Sequence, residues 1–104
     1  MKRPFEDTVP TIEVSHKGLN SYYRISADDL EAALVFFQEA GARLGTITGK
    51  DTRDHLEILY HFAIWGEIHT VIVDLSYDEP DIPTITGHFV NALLYERELI
   101  GLLG

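Results

Sequence analysis

The stretch His55-Leu-Glu-Ile-Leu-Tyr-His-Phe-Ala-Ile-Trp-Gly-Glu-Ile-His-Thr-Val-Ile-Val-Asp-Leu-Ser-Tyr77 decides the fold of this chain. Two runs of aromatic and aliphatic residues flank Gly66-Glu67. A two-residue connection with glycine first predicts a type II′ hairpin joining strands His55–Trp65 and Ile68–Tyr77. Pairing Trp65 with Ile68 then sets Phe62 opposite Val71, Tyr60 opposite Val73, Ile58 opposite Leu75 and Leu56 opposite Tyr77. The last four of these pairs share a face because strand side chains alternate with period two. A slip of one residue would expose the whole set, so one side of the sheet must meet the core. The other side carries His55, Glu57, Leu59, His61, Ala63 and Trp65 on one strand and Ile68, Thr70, Ile72, Asp74 and Ser76 on the next. With helices on one side only, such a half-apolar face is wet or covered by another chain. Trp65 and Ile68, beside Leu59 and Ile72, predict a modest exposed apolar patch of the kind that marks an interface. The competing reading is scattered surface hydrophobes.

Upstream of the hairpin, Ser21–Ile25 reads as a short aromatic strand. Ser26 follows as an N-cap and Asp29 favours the positive end of a helix. Leu30, Ala33, Leu34 and Phe37 recur at helical spacing from Ala27 to Ala40, and Gly41 stands where a left-handed C-cap belongs. Ala42–Thr48 predicts a strand, and Gly49–Asp54 a polar turn. Gly41, Gly45 and Gly49 are not a phosphate loop, since no Gly-Lys-Ser/Thr follows. Before Asn20, Pro4, Pro10 and Gly18 break every period. Residues 1–20 are therefore expected as an arm or loop, with at most a short strand at Thr11–Ser15. After Tyr77 an acidic link holding two prolines, Asp78–Pro83, ends the sheet. A last helix is expected from about His88 to Ile100, with Phe89, Ala92, Leu93 and Ile100 on one stripe and Glu96 interrupting it. The order strand, helix, strand, strand, strand, helix describes an α+β fold, a mainly antiparallel sheet with helices on one face, forming one domain over 21–104.

The chain has 104 residues, 45% of them hydrophobic, which suits a single domain with a core of its own. Its 17 acids against 8 bases give a formal net charge of −9. Nucleic acid is thus repelled rather than steered in, and an anionic membrane surface finds no basic cluster. Cysteine is absent. That excludes a thiolate-held iron–sulfur cluster, a cysteine zinc site, a disulfide and a cysteine nucleophile. No apolar run approaches the ~20 residues needed to span a bilayer, and no signal-peptide pattern opens the chain. A cytoplasmic location is expected.

Chemistry-bearing residues are few. His61 and Asp74 fall on one sheet face of adjacent strands, roughly diagonal, at ~7–8 Å between backbones. They are candidates for a shared proton or for two metal ligands with His55 or His88 as a third, weighed against a solvated His–Asp pair. Glu96 and Glu98, two apart on a helix, point to different sides and cannot form an acid/base dyad. No enzyme motif is present, and no cofactor or metal is expected. Glu96, Arg97 and Glu98 read either as surface charges of a terminal helix or as contacts: Glu96, within an apolar stripe, needs a partner if buried, and Arg97 offers a planar fork to a carboxylate.

Ile82-Pro83-Thr84-Ile85-Thr86, a short bridge and then Glu96-Arg97-Glu98-Leu99-Ile100-Gly101-Leu102-Leu103-Gly104 resemble the signature of the 30 kDa subunit family of respiratory NADH:quinone oxidoreductase. That family includes small subunits of energy-converting membrane-bound hydrogenases. Its pattern runs as Pro-hydrophobic-Pro-Ser/Thr-hydrophobic-Thr and then Glu-Arg-Glu-hydrophobic-aromatic-Asp-hydrophobic-aromatic-Gly. Gly101 here stands where the family usually has Asp, and Leu103 where it has an aromatic. The resemblance extends weakly back to about Ile25 through the strand at Leu59–Phe62.

The resemblance implies a non-catalytic, cofactor-free subunit of a complex I-like NADH dehydrogenase or energy-converting hydrogenase. It would pack on the large subunit that is hydrogenase-like and forms the quinone site, and be peripheral to the membrane through the complex. The contacts it implies are Glu96, Arg97 and Glu98, the link residues Pro83, Thr84 and Thr86, and the patch at Trp65. Because most respiratory members continue past the Glu-Arg-Glu helix, a short hydrogenase-type subunit or a shortened form is expected, with leucines near the end favouring a partner or self-association when isolated. The alternative class is a free-standing α+β regulatory module, homodimeric through its sheet, with a small-ligand pocket at His61, Asp74 and Trp65.

Overall fold

The hairpin at the centre of the chain turns one residue earlier than a glycine-first loop requires. In the computed structural model, which describes residues 5–76, 85, 87–89, 92 and 95–97, Ile64 pairs with Glu67 and the turn is Trp65-Gly66. Both turn residues lie in the left-handed region, at φ 56° and 72°. Two positive φ values in succession make a type I′ turn, whose twist matches that of the strands it joins. The expected register is accordingly displaced by two residues, so that Tyr60 faces Val71, Ile58 faces Val73 and Leu56 faces Leu75. Because two residues is one full strand period, every side chain still within the two strands keeps its face. Ile58, Tyr60, Phe62, Val71 and Val73 are all buried, as the alternation requires.

The hairpin strands, here β4 (Leu56–Ile64) and β5 (Glu67–Leu75), belong to a five-stranded sheet. Strand β3 (Arg43–Asp51) pairs antiparallel with β4 at one edge. On the other side β2 (Asn20–Ile25) lies parallel to β5, and β1 (Glu13–Lys17) pairs antiparallel with β2 at the far edge. The sheet is mostly antiparallel with one parallel seam, and the fold is α+β.

Helix α2 (Leu30–Ala40) crosses from β2 to β3. Its entry is the expected one, with Ser26 Oγ accepting from the Asp28 amide at 3.3 Å, though the first turn, Ala27–Asp29, is a 3-10 turn. Its exit is a Schellman motif: the Gly41 amide bonds to the Gln38 carbonyl and the Ala42 amide to that of Phe37. Gly41 sits at φ 84° with open space where a Cβ would stand. Gly41→Ala is thus expected to cost about 1 kcal/mol from backbone strain alone, read as a shift in urea midpoint at unchanged slope.

Leu30, Ala33, Leu34 and Phe37 point from α2 onto the sheet and are at most 3% exposed. Under the other half of the sheet lie Ile85, Phe89 and Ala92 of the closing segment, all buried, with the Phe62 and Phe89 rings 5.2 Å apart. Residue 92 and residues 95–97 are helical, within the last helix that the apolar spacing predicts.

The expected arm carries structure. Phe5–Thr8 forms a short helix, α1, whose Phe5 is buried against Tyr23, Phe36 and Phe37. Val9, just beyond it, is 1% exposed, and β1 extends two residues past the short strand foreseen at Thr11–Ser15. Pro4 and Pro10 hide this from a periodicity argument, because they bracket a single helical turn too short to show a repeat.

Candidate functional site

Among the described residues, polar chemistry gathers in three places, each positioned by an element whose alternation forces it there. The first is the open face of the sheet. Arg24 lies between Tyr23 and Ile25, which face the core, so it must point outward. There its Nη1 donates to Glu57 Oε2 at 2.9 Å and also meets Asp74 Oδ1. His55 Nε2 stands 3.3 Å from Asp74 Oδ1 and 3.5 Å from Glu57 Oε2. Burial pushes the Glu57 carboxyl up, yet it lies below its ordinary value because the Arg24 guanidinium holds it ionised.

His55, Glu57 and Asp74 bring ligand atoms within 4.8 Å of one another, a spacing compatible with a metal ion. The Arg24 guanidinium already contacts both carboxylates and offsets one of their two charges, so the cluster is an ion-pair network on strands β2, β4 and β5, with His55 just before β4. His61 is not part of it. It pairs with Thr70, four residues along β5 from Asp74, because of the displaced register. Its ring bonds Thr70 Oγ1 at 2.9 Å and Thr48 Oγ1 at 3.1 Å, and burial lowers its pKa. The expected diagonal His61–Asp74 pair is therefore absent, and His88 lies on the other side of the sheet against Gln38.

The second place is the closing segment. Glu96 is half-buried, and its Oε1 accepts from the amide of Ile85 at 2.8 Å. The partner that a carboxylate in an apolar stripe demands is thus the backbone of the same segment, eleven residues earlier. Burial first, and then the nearby Glu96 charge, raise the pKa of Tyr60 far above its usual value. Arg97, the next residue, is exposed. Pro83, Thr84, Thr86 and Glu98 lie outside the described residues.

The third is the turn. Trp65 and Ile68 are 41% and 40% exposed, but they do not share one patch. In the left-handed conformation Trp65 leaves the strand alternation and lays its ring edge-on to His69, centroids 5.6 Å apart, on the helix side of the sheet. Ile68 stays on the open face with Leu59, Ala63 and Ile72, all three half-buried. Sequence reasoning missed Arg24 and the buried Tyr23–His69 pair altogether. The period-two pattern across Ser21–Ile25 is the signal that places both Arg24 outside and Tyr23 inside.

The mixed sheet with its crossing helix is a fold shared with a chain of an archaeal respiratory membrane complex and with Nqo5. It superposes on a chain of the archaeal membrane-bound sulfane sulfur reductase complex with a TM-score of 0.79 at 21% identity, covering 91% of this chain and 61% of that one. On a trypsin-resistant fragment of Nqo5 the TM-score is 0.75 at 20% identity, over 86% of this chain and 80% of the other. In sequence, the description "respiratory-chain NADH dehydrogenase, 30 Kd subunit" matches residues 23–104, and the chain belongs to that family. A curated relative, the C/D subunit of the NADH-quinone oxidoreductase of Aeromonas salmonicida (strain A449), is 43% identical over 49 residues, which span 45% of this chain and 8% of that protein.

Proposed function

We propose that this chain is a non-catalytic structural subunit of a complex I-like NADH dehydrogenase or an energy-converting hydrogenase, and that it packs on the large quinone-site or nickel–iron-type subunit of that complex. Family membership over 23–104 supports the class of assembly. The named relatives, the C/D subunit of an NADH-quinone oxidoreductase and a chain of a respiratory membrane complex, belong to assemblies of the same kind. The observation that carries the packing role is the Glu96 anchor. Glu96 ties its turn to the Ile85 amide inside the chain and leaves the next residue, Arg97, exposed, where a planar fork can meet a carboxylate of a neighbour. Among the described residues no helix is long and apolar enough to cross a membrane, so attachment to the membrane would run through the partner.

The test is a mild-detergent affinity pull-down of the tagged chain from its native cells, beside an Arg97→Ala, Glu98→Ala variant, read by mass spectrometry. Removing a well-packed interfacial charge costs about 2 kcal/mol or more. Recovery of the large subunit is thus expected to fall at least about tenfold in the variant. Equal recovery from both samples, or recovery of the chain alone, would overturn the assignment of this contact.

A further inference from the structure

The ion-pair cluster on the open face of the sheet holds two carboxylates and one guanidinium. Glu57 and Asp74 stand directly opposite each other on β4 and β5, and Arg24 offsets one of their two charges. Lys50, across from Glu57 on β3, adds a field rather than a contact. His55, two residues before Glu57, continues the alternation onto the same face. Its Nε2 lies 3.3 Å from Asp74 Oδ1 and 3.5 Å from Glu57 Oε2. That nitrogen is buried, and among the described residues it has no hydrogen-bond partner. A buried polar atom left in this way calls for an explanation, and a bound ion is one of the few available.

The other ring nitrogen fixes what Nε2 offers. The Thr52 hydroxyl donates to the His55 carbonyl at 2.9 Å, so its proton is committed there. The Thr52 oxygen, 3.3 Å from His55 Nδ1, is then the acceptor of that contact, and Nδ1 carries the ring proton. The His55 amide donates to the same oxygen at 3.2 Å, which ties the residue to the turn. In the neutral ring Nε2 therefore presents a lone pair. Two carboxylate oxygens and an imidazole lone pair, all acceptors, thus face one another. Three acceptors converge stably only on a cation. An imidazole whose far nitrogen donates to an outer partner is also the usual form of a metal-ligating histidine.

We propose that His55 Nε2, Glu57 and Asp74 bind a divalent transition metal of the zinc type, with water in the fourth position. The spacings select the ion. A tetrahedral zinc bound at about 2.0–2.2 Å puts neighbouring ligand atoms about 3.3–3.6 Å apart, which is the separation of Nε2 from both oxygens. Octahedral magnesium, bound at about 2.0–2.1 Å, requires about 2.8–3.0 Å and takes oxygen ligands. A proton on Nε2 fits less well. Contacts of 3.3 and 3.5 Å exceed the ~2.7–2.9 Å of an ionised N–H···O bond, and neither has hydrogen-bond geometry. Arg24 is compatible with the ion, because a carboxylate has lone pairs enough for both. The guanidinium stays as the outer partner that orients the two carboxylates, and its charge, opposing the ion, keeps the affinity moderate. The side chains of His55 and Asp74 are 35% and 39% exposed, which leaves the ion a path from solvent. The inference does not depend on the assembly role.

The intact chain without an affinity tag, stripped with a chelator and dialysed, is titrated with Zn²⁺ by calorimetry and with Co²⁺ by visible absorption, with Mg²⁺ as the control. Zn²⁺ is expected to saturate at one ion per chain and Co²⁺ to give the intense visible bands of tetrahedral coordination, while Mg²⁺ does neither. His55→Gln and Asp74→Asn, each checked for folding by circular dichroism, are expected to weaken Zn²⁺ at least about tenfold. Thr52→Val, which removes no ligand and only leaves Nδ1–H without its acceptor, is expected to weaken it severalfold. His16→Gln, a histidine on the helix side of the sheet, leaves the affinity unchanged. Saturation undiminished by His55→Gln or by Asp74→Asn marks an adventitious ion and overturns the proposal. So does a chain that takes up no Zn²⁺; imidazolium nitrogen shifts for His55 at neutral pH in that chain would assign the place to a proton instead.

Discussion

Phe37→Ala is expected to remove about 3–5 kcal/mol of folding free energy, the usual cost of deleting a buried aromatic ring. Phe37 is fully buried and is the point where the layers meet. Its ring stacks on Phe62 of the sheet at 4.4 Å, and lies 5.3 Å from Phe5 of α1 and 5.1 Å from its neighbour Phe36. Truncation leaves a cavity walled by aromatic rings from the sheet, from α1 and from α2 itself, so the site collapses poorly. The backbone carbonyl of Phe37 also accepts the Ala42 amide in the helix C-cap, so loss of order there propagates to the start of β3. Against the total of roughly 5–15 kcal/mol available to a domain of this size, the variant falls near the threshold of stability. Urea unfolding followed by circular dichroism measures it. A loss below about 1 kcal/mol would mean that α2 does not pack on the sheet as described.

Arg24→Ala is expected to cost about 3 kcal/mol at neutral pH, because it strands the buried Glu57 carboxylate beside Asp74 with no guanidinium between them. The pH dependence separates this cause from lost packing. In the native protein the Glu57 carboxyl lies below its ordinary value of 4.5. Its contribution is therefore present above pH ~4.5 and is lost as pH falls through the folded value, where the unfolded chain binds the extra proton. Without Arg24 the burial effect prevails and the Asp74 charge adds to it, so the folded variant takes up a proton that the unfolded chain does not. Its stability then rises relative to the native protein on acidification, and the gap between the two narrows below neutrality. Glu57→Gln on the Arg24→Ala background should restore more than half of the loss. A gap that stays constant with pH, or no rescue, would show that the ion pair is not what Arg24 contributes.

What can be read from residues alone divides along the range of the interaction responsible. The faces of β4 and β5, the span of α2, its Ser26 entry and its Gly41 exit follow from periods and caps a few residues long, and the structure has them. The hairpin register does not follow in this way. Turn chemistry favours glycine first, whereas here a tryptophan takes the first left-handed position. Such a conformation costs a non-glycine residue energy that only its surroundings, the His69 contact among them, repay. The closing motif is visible by resemblance, and its Glu96 has a partner as the apolar stripe requires, but that the partner is the Ile85 amide depends on a chain reversal no local pattern encodes. The parallel neighbour of β2, and with it the meeting of Arg24 and Asp74, is set by contacts 50 residues apart. Phe5 and Val9 stand four apart, a helical interval, but a single interval is no period.

The place of β5 in the sheet has a kinetic meaning. Among the described strands it is the last in chain order, yet it lies between β2 and β4 and joins the two halves of the sheet. The hairpin β4–β5 closes across two residues, whereas β2 must find β5 across the 48 positions that separate Asn20 from Ile68. Local pairing is fast and distant parallel pairing slow, so the sheet assembles from its C-terminal side inward, with the first hairpin docking last. During synthesis β1 and β2 emerge well before their neighbour exists, and for that interval β2 offers an unpaired edge to any other nascent strand. Its inward-facing aromatic, Tyr23, makes that edge sticky; Arg24 on the alternate face is the charge that discourages the wrong partner until β5 brings Asp74 to meet it.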